Sequence, residues 1–201
     1  MSQERRIKHR ENLRKKIIKS AQKIASKEGW EAVTMRRLSA DIKYSLPVLY
    51  HYFKSKEDII INVADLGFRQ LLVEFDNIPE TKNYSKFAYN MAEVYFTFGV
   101  NNEALYHAMY GNQGISSFTD GNPTEGEKLF FHIQAKLEEL KEKGATIDNS
   151  FTATKVLWSM MHGLVSLHLI NRIVDEKTTV EDMLNDFSTM ICDFWKLDKI
   201  K

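Results

Sequence analysis

The side chains best suited to chemistry cluster between Ser45 and Lys56: Ser45, Leu46, Pro47, Val48, Tyr50, His51, Tyr52, Lys54 and Lys56. Together they offer apolar groups for thymine methyls, an imidazole able to hydrogen-bond a base edge, and phenols and ammonium groups for phosphate oxygens. Leu49 and Phe53 lie four apart, which predicts a face turned to a core. Upstream, Thr34 is a good N-cap for a short helix carrying Met35, Arg36, Arg37 and Leu38 and stopping near Ile42, and Arg36, Arg37, Lys54 and Lys56 are expected to supply charge to DNA around the second helix. Short helix, tight turn at Lys43-Tyr44 and second short helix from Ser45 is the helix-turn-helix arrangement, whose second helix enters the major groove of double-stranded DNA. Pro47 suits the first turn of that helix, where no intrahelical partner awaits its nitrogen. Ser55-Lys56-Glu57-Asp58 then reads as the capped start of a longer helix, whose N-terminus at Lys56 adds partial positive charge toward phosphate.

The charge balance points the same way. Residues 1–56 hold 15 Lys+Arg against 5 Asp+Glu, net +10, whereas 57–201 hold 13 against 22, net −9. A basic head on an acidic body implies that one end meets a polyanion. A solvated arm of Arg5, Arg6, Lys8 and Arg10 would explain only part of that excess. Other chemistries lack their residues: there is no Gly-rich phosphate loop, no G-x-S-x-G elbow and no H-E-x-x-H. His107, His132, His162 and His168 form no i, i+4 pair and Cys192 stands alone, so no metal site is expected. Glu138-Glu139, among Lys136, Lys141 and Lys143, reads as a solvated helix face. Neither enzymatic activity nor a cofactor is expected.

The elements that position these residues are predicted to be helical throughout. The chain of 201 residues is 43% hydrophobic with only 9 Gly and 3 Pro, so strand-punctuating breakers are few and an all-α fold follows. Leu13, Ile17, Ala21, Ile24 and Ala25 predict a first helix from about Arg10 to Glu28, ended by Gly29. The long helix opened at Ser55 runs to about Phe75, and further helices fall near 84–100, 102–110, 124–143, 149–173 and 179–196, with a loop over 111–123 holding three Gly and Pro123. The expected division is a DNA-binding domain over 1–56 and a ligand-binding and dimerisation domain over 57–201. A charged N-terminus without a secretory signal and a single cysteine place the protein in a reducing cytoplasm.

From Val156 to Asn171 no Asp, Glu, Lys or Arg occurs, but the run is too short to span a membrane and includes His162 and His168. It must instead be covered on two sides. One stripe is Trp158, Met161, Val165 and Leu169; the other is Val156, Met160, Gly163, Leu167 and Ile170. In the last helix Val180, Met183, Phe187, Met190 and Phe194 keep coiled-coil spacing. A plain monomer core would explain these stripes as well, yet side by side they favour a four-helix homodimer interface. The aromatic and thioether stripe of Phe87, Met91, Tyr95 and Phe98 with Tyr106, Met109, Tyr110, Phe130 and Phe131 either packs as core or lines a cavity for a small-molecule effector.

The runs Thr34-Met35-Arg36-Arg37-Leu38-Ser39 and Ser45-Leu46-Pro47-Val48-Leu49-Tyr50-His51-Tyr52-Phe53-Lys54-Ser55-Lys56-Glu57 resemble the DNA-binding head of TetR-type (TetR/AcrR) transcriptional regulators. The resemblance implies that Thr34 and Tyr52 bind phosphate, Leu46, Pro47, Val48 and His51 face bases, Tyr50 reaches toward the backbone and Lys56 clamps a phosphate. Where such proteins usually carry Ala-Gly-Val-Ser at the turn, this chain has Ile42-Lys43-Tyr44-Ser45. A left-handed Lys43 would cost about 1 kcal/mol relative to glycine and add a cation near DNA. Further on, Trp158…His162-Gly163 is similar to the WHG type of C-terminal domain. That likeness implies an effector pocket including Trp158, Met161 and His162, a homodimer, and a repressor released from its operator by an apolar or aromatic effector. Two alternatives stay open: an effector-free adaptor on the same fold, and a helical enzyme that kept the head as scaffold.

Overall fold

Thr34 and Lys43 delimit the helix on which the head is built. The Thr34 hydroxyl accepts the Arg37 N–H at 3.1 Å and starts α2 (Met35–Ile42). Lys43 ends it in the left-handed region at φ 59°, ψ 45°. Its N–H reaches the Ala40 carbonyl at 3.3 Å and that of Tyr44 reaches Ser39 at 3.1 Å, the paired bonds of a Schellman close. The chain therefore turns sharply at a residue that carries a Cβ. α3 (Leu46–Tyr52) follows, with Ser45 as N-cap.

The computed structural model describes residues 3–111, 123–173, 175 and 177–199. The other helices among them are α1 (Gln3–Glu28), α4 (Lys56–Asp76), α5 (Tyr84–Asn101), α6 (Glu103–Tyr110), α7 (Glu125–Glu142), α8 (Ser150–Leu169) and α9 (Val180–Trp195), with single 3-10 turns at Trp30–Ala32 and Leu197–Lys199. No strand occurs among the described residues, so the fold is all-α. Most of the expected 111–123 loop lies outside the described residues.

Two predicted boundaries move. α1 begins at Gln3 rather than near Arg10, because arginine, lysine and glutamate propagate a helix without needing an apolar face, and Glu4 lies in the first turn where the helix dipole favours it. α8 ends at Leu169 rather than 173, because Asn171 adopts φ 54° and the Arg172 N–H returns to the Leu167 carbonyl at 2.9 Å. Asparagine is among the few residues that accept this conformation readily. Capping boxes open α7 at Thr124/Glu127 and α9 at Thr179/Asp182.

The described residues fall into two compact units, one within Met1–Gly67 and Asn102–Ser117, the other within Phe68–Asn101 and Phe118–Lys201. In the first, Leu13, Ile17 and Ala21 of α1 are buried with Leu38, Ile42, Leu49, Phe53 and Val63. α6 packs on α1, and the Trp30 indole N–H donates to the Ala104 carbonyl at 2.7 Å. In the second, α5 packs on α8 and α9, and α7 packs on α8. The buried side chains there include Ala88, Met91 and Tyr95, Leu129 and Ile133, Leu157 and Met161, and Leu184 and Ile191.

The turn yields a stability test. Lys43→Gly removes the Cβ penalty of the left-handed backbone and is expected to stabilise the protein by about 1 kcal/mol, read as a raised thermal midpoint. An unchanged or lowered midpoint would mean that the Lys43 side chain compensates for its own backbone.

Candidate functional site

α3 divides its residues cleanly between inside and outside. Leu49 and Phe53 are buried at 0% and 1% exposure, as their spacing predicts. Ser45, Pro47, Tyr50 and His51 are exposed, and Leu46, Val48 and Tyr52 are half-buried. The Ser45 side chain makes no capping bond. One short helix thus presents a hydroxyl, apolar groups, two phenols and an imidazole on its outward surface, with the His51 and Tyr52 rings edge to face at 5.6 Å. Around it, Thr34, Arg36, Lys43 and Lys54 are exposed and Lys56 is half-buried in the first turn of α4. Thr34 accepts one hydrogen bond as N-cap, which leaves its hydroxyl proton for a phosphate oxygen.

Arg37 stands differently from its expected place among the free cations. Its guanidinium grips both carboxylate oxygens of Glu28, with Nη1 donating to Oε2 at 2.8 Å and Nη2 to Oε1. The pairing holds the Glu28 carboxyl below its usual range and raises the Arg37 pKa. The pair joins α2 to the end of α1.

Two α1 residues that sequence reasoning missed brace the same arrangement. Lys16 donates to the Ile42 carbonyl at 3.1 Å and lies over the Tyr44 ring at 5.4 Å. Arg14 donates to the Tyr52 carbonyl at 3.4 Å and to the Asn62 side chain, and lies over the Phe53 ring at 4.5 Å. They flank the apolar stripe of α1, which was the available signal. Asp58 adds a cap, accepting the Lys54 N–H at 2.9 Å.

The expected effector-pocket residues belong to both units. Tyr106, Met109 and Tyr110 belong to α6 in the first unit, and Phe87, Met91, Tyr95, Phe98, Phe130, Trp158, Met161 and His162 to the second. Tyr95, Phe98 and Met161 are buried, and the Tyr95 hydroxyl accepts the Trp158 indole N–H at 3.2 Å. Phe130 meets Phe131, Phe151 and Trp158 edge to face. His162 is half-buried 3.2 Å from the Ser166 hydroxyl, and burial lowers its pKa. Of the whole set only Phe87 and Met91 line a cavity of about 650 Å³ in the second unit. Its apolar wall continues through Phe75, Ile78, Ile133, Leu137, Ile191 and Trp195, and its polar wall includes Asp76, Lys82, His132, Lys136 and Glu139. Two of these pairs are closed, His132 to Asp76 at 3.5 Å and Lys136 to Glu139 at 3.4 Å. The Leu129-Ile133-Leu137 stripe of α7 was the legible sign of this wall.

The residues of the two expected seams differ in exposure. On α8, Val156, Leu167 and Ile170 are exposed, Met160 and Gly163 are half-buried, and a Cβ built on Gly163 would meet nothing within 4 Å. On α9, Met190 and Phe194 are exposed at 58% and 76%, and Val180 and Met183 are half-buried. Phe187, expected on this seam, is instead buried at 4%, because the core stripe of α9 is Leu184, Phe187, Ser188, Ile191 and Trp195. Among the described residues no group of three or more His, Cys, Asp or Glu could hold a metal ion. Nor is any helix of the described residues long and apolar enough to cross a membrane.

An all-α chain whose short outward-facing α3 follows a tight turn from α2 defines a helix-turn-helix DNA-binding regulator. Its sequence matches the family described as "Bacterial regulatory proteins, tetR family" over residues 17–63 and that described as "Tetracyclin repressor-like, C-terminal domain" over 89–187. The chain belongs to the tetR family of bacterial regulatory proteins. Similar solved structures include a protein of unknown function from Rhodococcus sp. RHA1, at 17% identity over 92% of this chain and 94% of that one, TM-score 0.71. The TetR family transcriptional regulator PfmR from Thermus thermophilus has 20% identity over 87% and 96% of the two chains, TM-score 0.60. A TetR variant from Acinetobacter baumannii AYE in complex with minocycline has 19% identity over 90% and 95%, TM-score 0.63. No curated protein matches the sequence.

The expected phosphate and base contacts are separable by salt. On duplexes recovered by in vitro selection, Lys56→Ala is expected to weaken all sequences alike and lower the salt slope by about 1. His51→Ala should relax preference at one base position at a cost of about 1–3 kcal/mol. Equal salt slopes for wild type and Lys56→Ala would remove Lys56 from the phosphate contacts.

Proposed function

We propose that the protein is a homodimeric transcriptional repressor that leaves its operator when a small, mainly apolar or aromatic effector occupies its body. The observation that supports the DNA-binding part is the outward face of α3 and the cations around it; in this reading Leu46, Pro47, Val48 and His51 face bases, and Thr34, Tyr50, Tyr52, Lys43, Arg36 and Lys56 face the DNA backbone. One such helix buries too little to specify an operator. Two, related by a dimer axis, read two half-sites in successive major grooves.

The dimer reading is supported by the outer faces of α8 and α9, where Val156, Leu167, Ile170, Met190 and Phe194 are exposed large apolar side chains. Met190→Glu with Phe194→Glu would bury like charges against their symmetry mates, while the fold itself stays intact because both side chains already face outward. Analytical ultracentrifugation is expected to give monomers that no longer bind selected DNA specifically. A double variant that sediments as a dimer would move the interface elsewhere.

The effector reading is supported by the 650 Å³ cavity and its apolar wall, and the Acinetobacter relative's complex with minocycline is an example of small-molecule binding on a similar fold. Reversing a 99:1 equilibrium takes about 5.5 kcal/mol of differential affinity, which at about 25 cal/mol per Å² corresponds to roughly 220 Å² of apolar burial. α4 carries Lys56 in its first turn and Phe75 and Asp76, both in the cavity wall, in its last. A thermal-shift screen of uncharged aromatic compounds is expected to yield ligands that raise the melting temperature, lower DNA affinity reciprocally, and lose both effects in Leu140→Trp, which narrows the cavity. Ligands that stabilise the protein without moving DNA affinity would favour the effector-free adaptor instead.

A further inference from the structure

α1 overhangs the unit it belongs to. Every residue from 3 to 12 is exposed, and the first buried position is Leu13. At 1.5 Å per residue the overhang is about 15 Å long. Its direction follows from its contacts. Along α1 from Glu28 toward the N-terminus, the partners run from Arg37 through Asp41 to the Ile42 carbonyl, and then Arg14 meets Tyr52 and Phe53 at the end of α3. The helix thus passes the turn and the end of α3 before it leaves the unit.

Its faces are not equivalent. The core stripe of α1 is Leu13, Ile17, Ala21 and Ile24, at spacings of three and four, and it lies between Lys16 on the turn and Arg14 on the end of α3. Continued in the same steps past Leu13, that stripe reaches Arg10 and Arg6. Where the helix would need leucine to pack on protein it carries arginine, so the overhang offers two guanidinium groups on the side that faces α2 and α3 further along. Glu4 and Glu11, seven apart, share the opposite face. Arg5 and His9 border the arginine side.

We propose that this overhang is a second DNA-binding element, in which Arg6 and Arg10 hold backbone phosphates flanking the half-site that α3 reads. Duplex DNA carries a charge about every 1.7 Å, so a 15 Å arm with two arginines on one side finds phosphates along its length. Arginine suits the task through its forked, permanently charged donors. The inference rests on the DNA-binding reading of the head and adds contacts beyond those of α2, α3 and the start of α4.

The test uses the full-length protein, a 30-base-pair duplex recovered by in vitro selection and a scrambled duplex of equal length. Arg6→Gln with Arg10→Gln is expected to weaken both duplexes by the same factor and to lower the salt slope by about 2 per protomer, with helicity unchanged. At about 0.9 per contact, this closes the affinity gap from wild type roughly twelvefold per bound protomer between 50 and 200 mM salt. Glu4→Gln with Glu11→Gln should leave the slope unchanged. A wild-type slope in the arginine variant, while His51→Ala still relaxes base preference, would overturn the arm and keep the head. Equal slope changes in both charge variants would overturn it too, as an unoriented field. A selection on wild type that enriches no duplex would remove arm and head together.

Discussion

The head depends on one turn being held in a conformation its sequence does not favour. Lys43 sits at φ 59° without the freedom of glycine, and the direction of α3 is set there. The turn persists because its surroundings over-determine it. Two backbone bonds close α2, Lys16 takes the free Ile42 carbonyl, and Ser20 donates to Asp41 at 2.7 Å on the same helix. Buried Ile42 and Leu49 anchor the chain on either side. Strain of about 1 kcal/mol is small against burial of even one such side chain, worth about 1.5–3 kcal/mol.

In the second unit the corresponding constraint is the use of one helix for two purposes. α9 buries Leu184, Phe187, Ile191 and Trp195 and leaves Met190 and Phe194 outside. α8 likewise buries Leu157, Met161 and Val165 while Val156, Leu167 and Ile170 stay exposed. Exposed apolar side chains on both helices are what the proposed dimer would cover.

Much of this was legible because it rests on local periodicity and caps. Thr34, Ser45 and the Ser55–Asp58 run marked the starts of α2, α3 and α4, and the three-and-four spacing of apolar residues located every longer helix. What escaped was set by rotation and by distance along the chain. Val180, Met183, Phe187, Met190 and Phe194 satisfy coiled-coil spacing, yet that line straddles the border of the buried arc of α9, and only the packing partner decides on which side Phe187 falls. The cavity was equally hidden: its walls come from α4, α5, α7 and α9, so no window of sequence contains it, and of the aromatic and thioether stripe only Phe87 and Met91 line it. Helix-forming charged residues concealed the true start of α1, since hydrophobic periodicity is silent where no core is touched.

The charge asymmetry acquires a structural meaning once Arg37 and the α1 cations are placed. A net +10 over residues 1–56 suggests a uniform basic surface, but part of it is internal wiring. Arg37 is paired with Glu28, and Lys16 and Arg14 donate to carbonyls at the turn and at the end of α3. Among the described residues, Arg36, Lys43, Lys54 and Lys56 around α3 and the cations of the α1 overhang make no such bond to the fold. The net −9 of residues 57–201 opposes adsorption of that region on DNA. In the proposed reading, charge-driven attraction acts through the surface that carries His51 and Tyr50, so an encounter would already present the side chains proposed to read bases, and its strength would fall with salt while their selectivity would not.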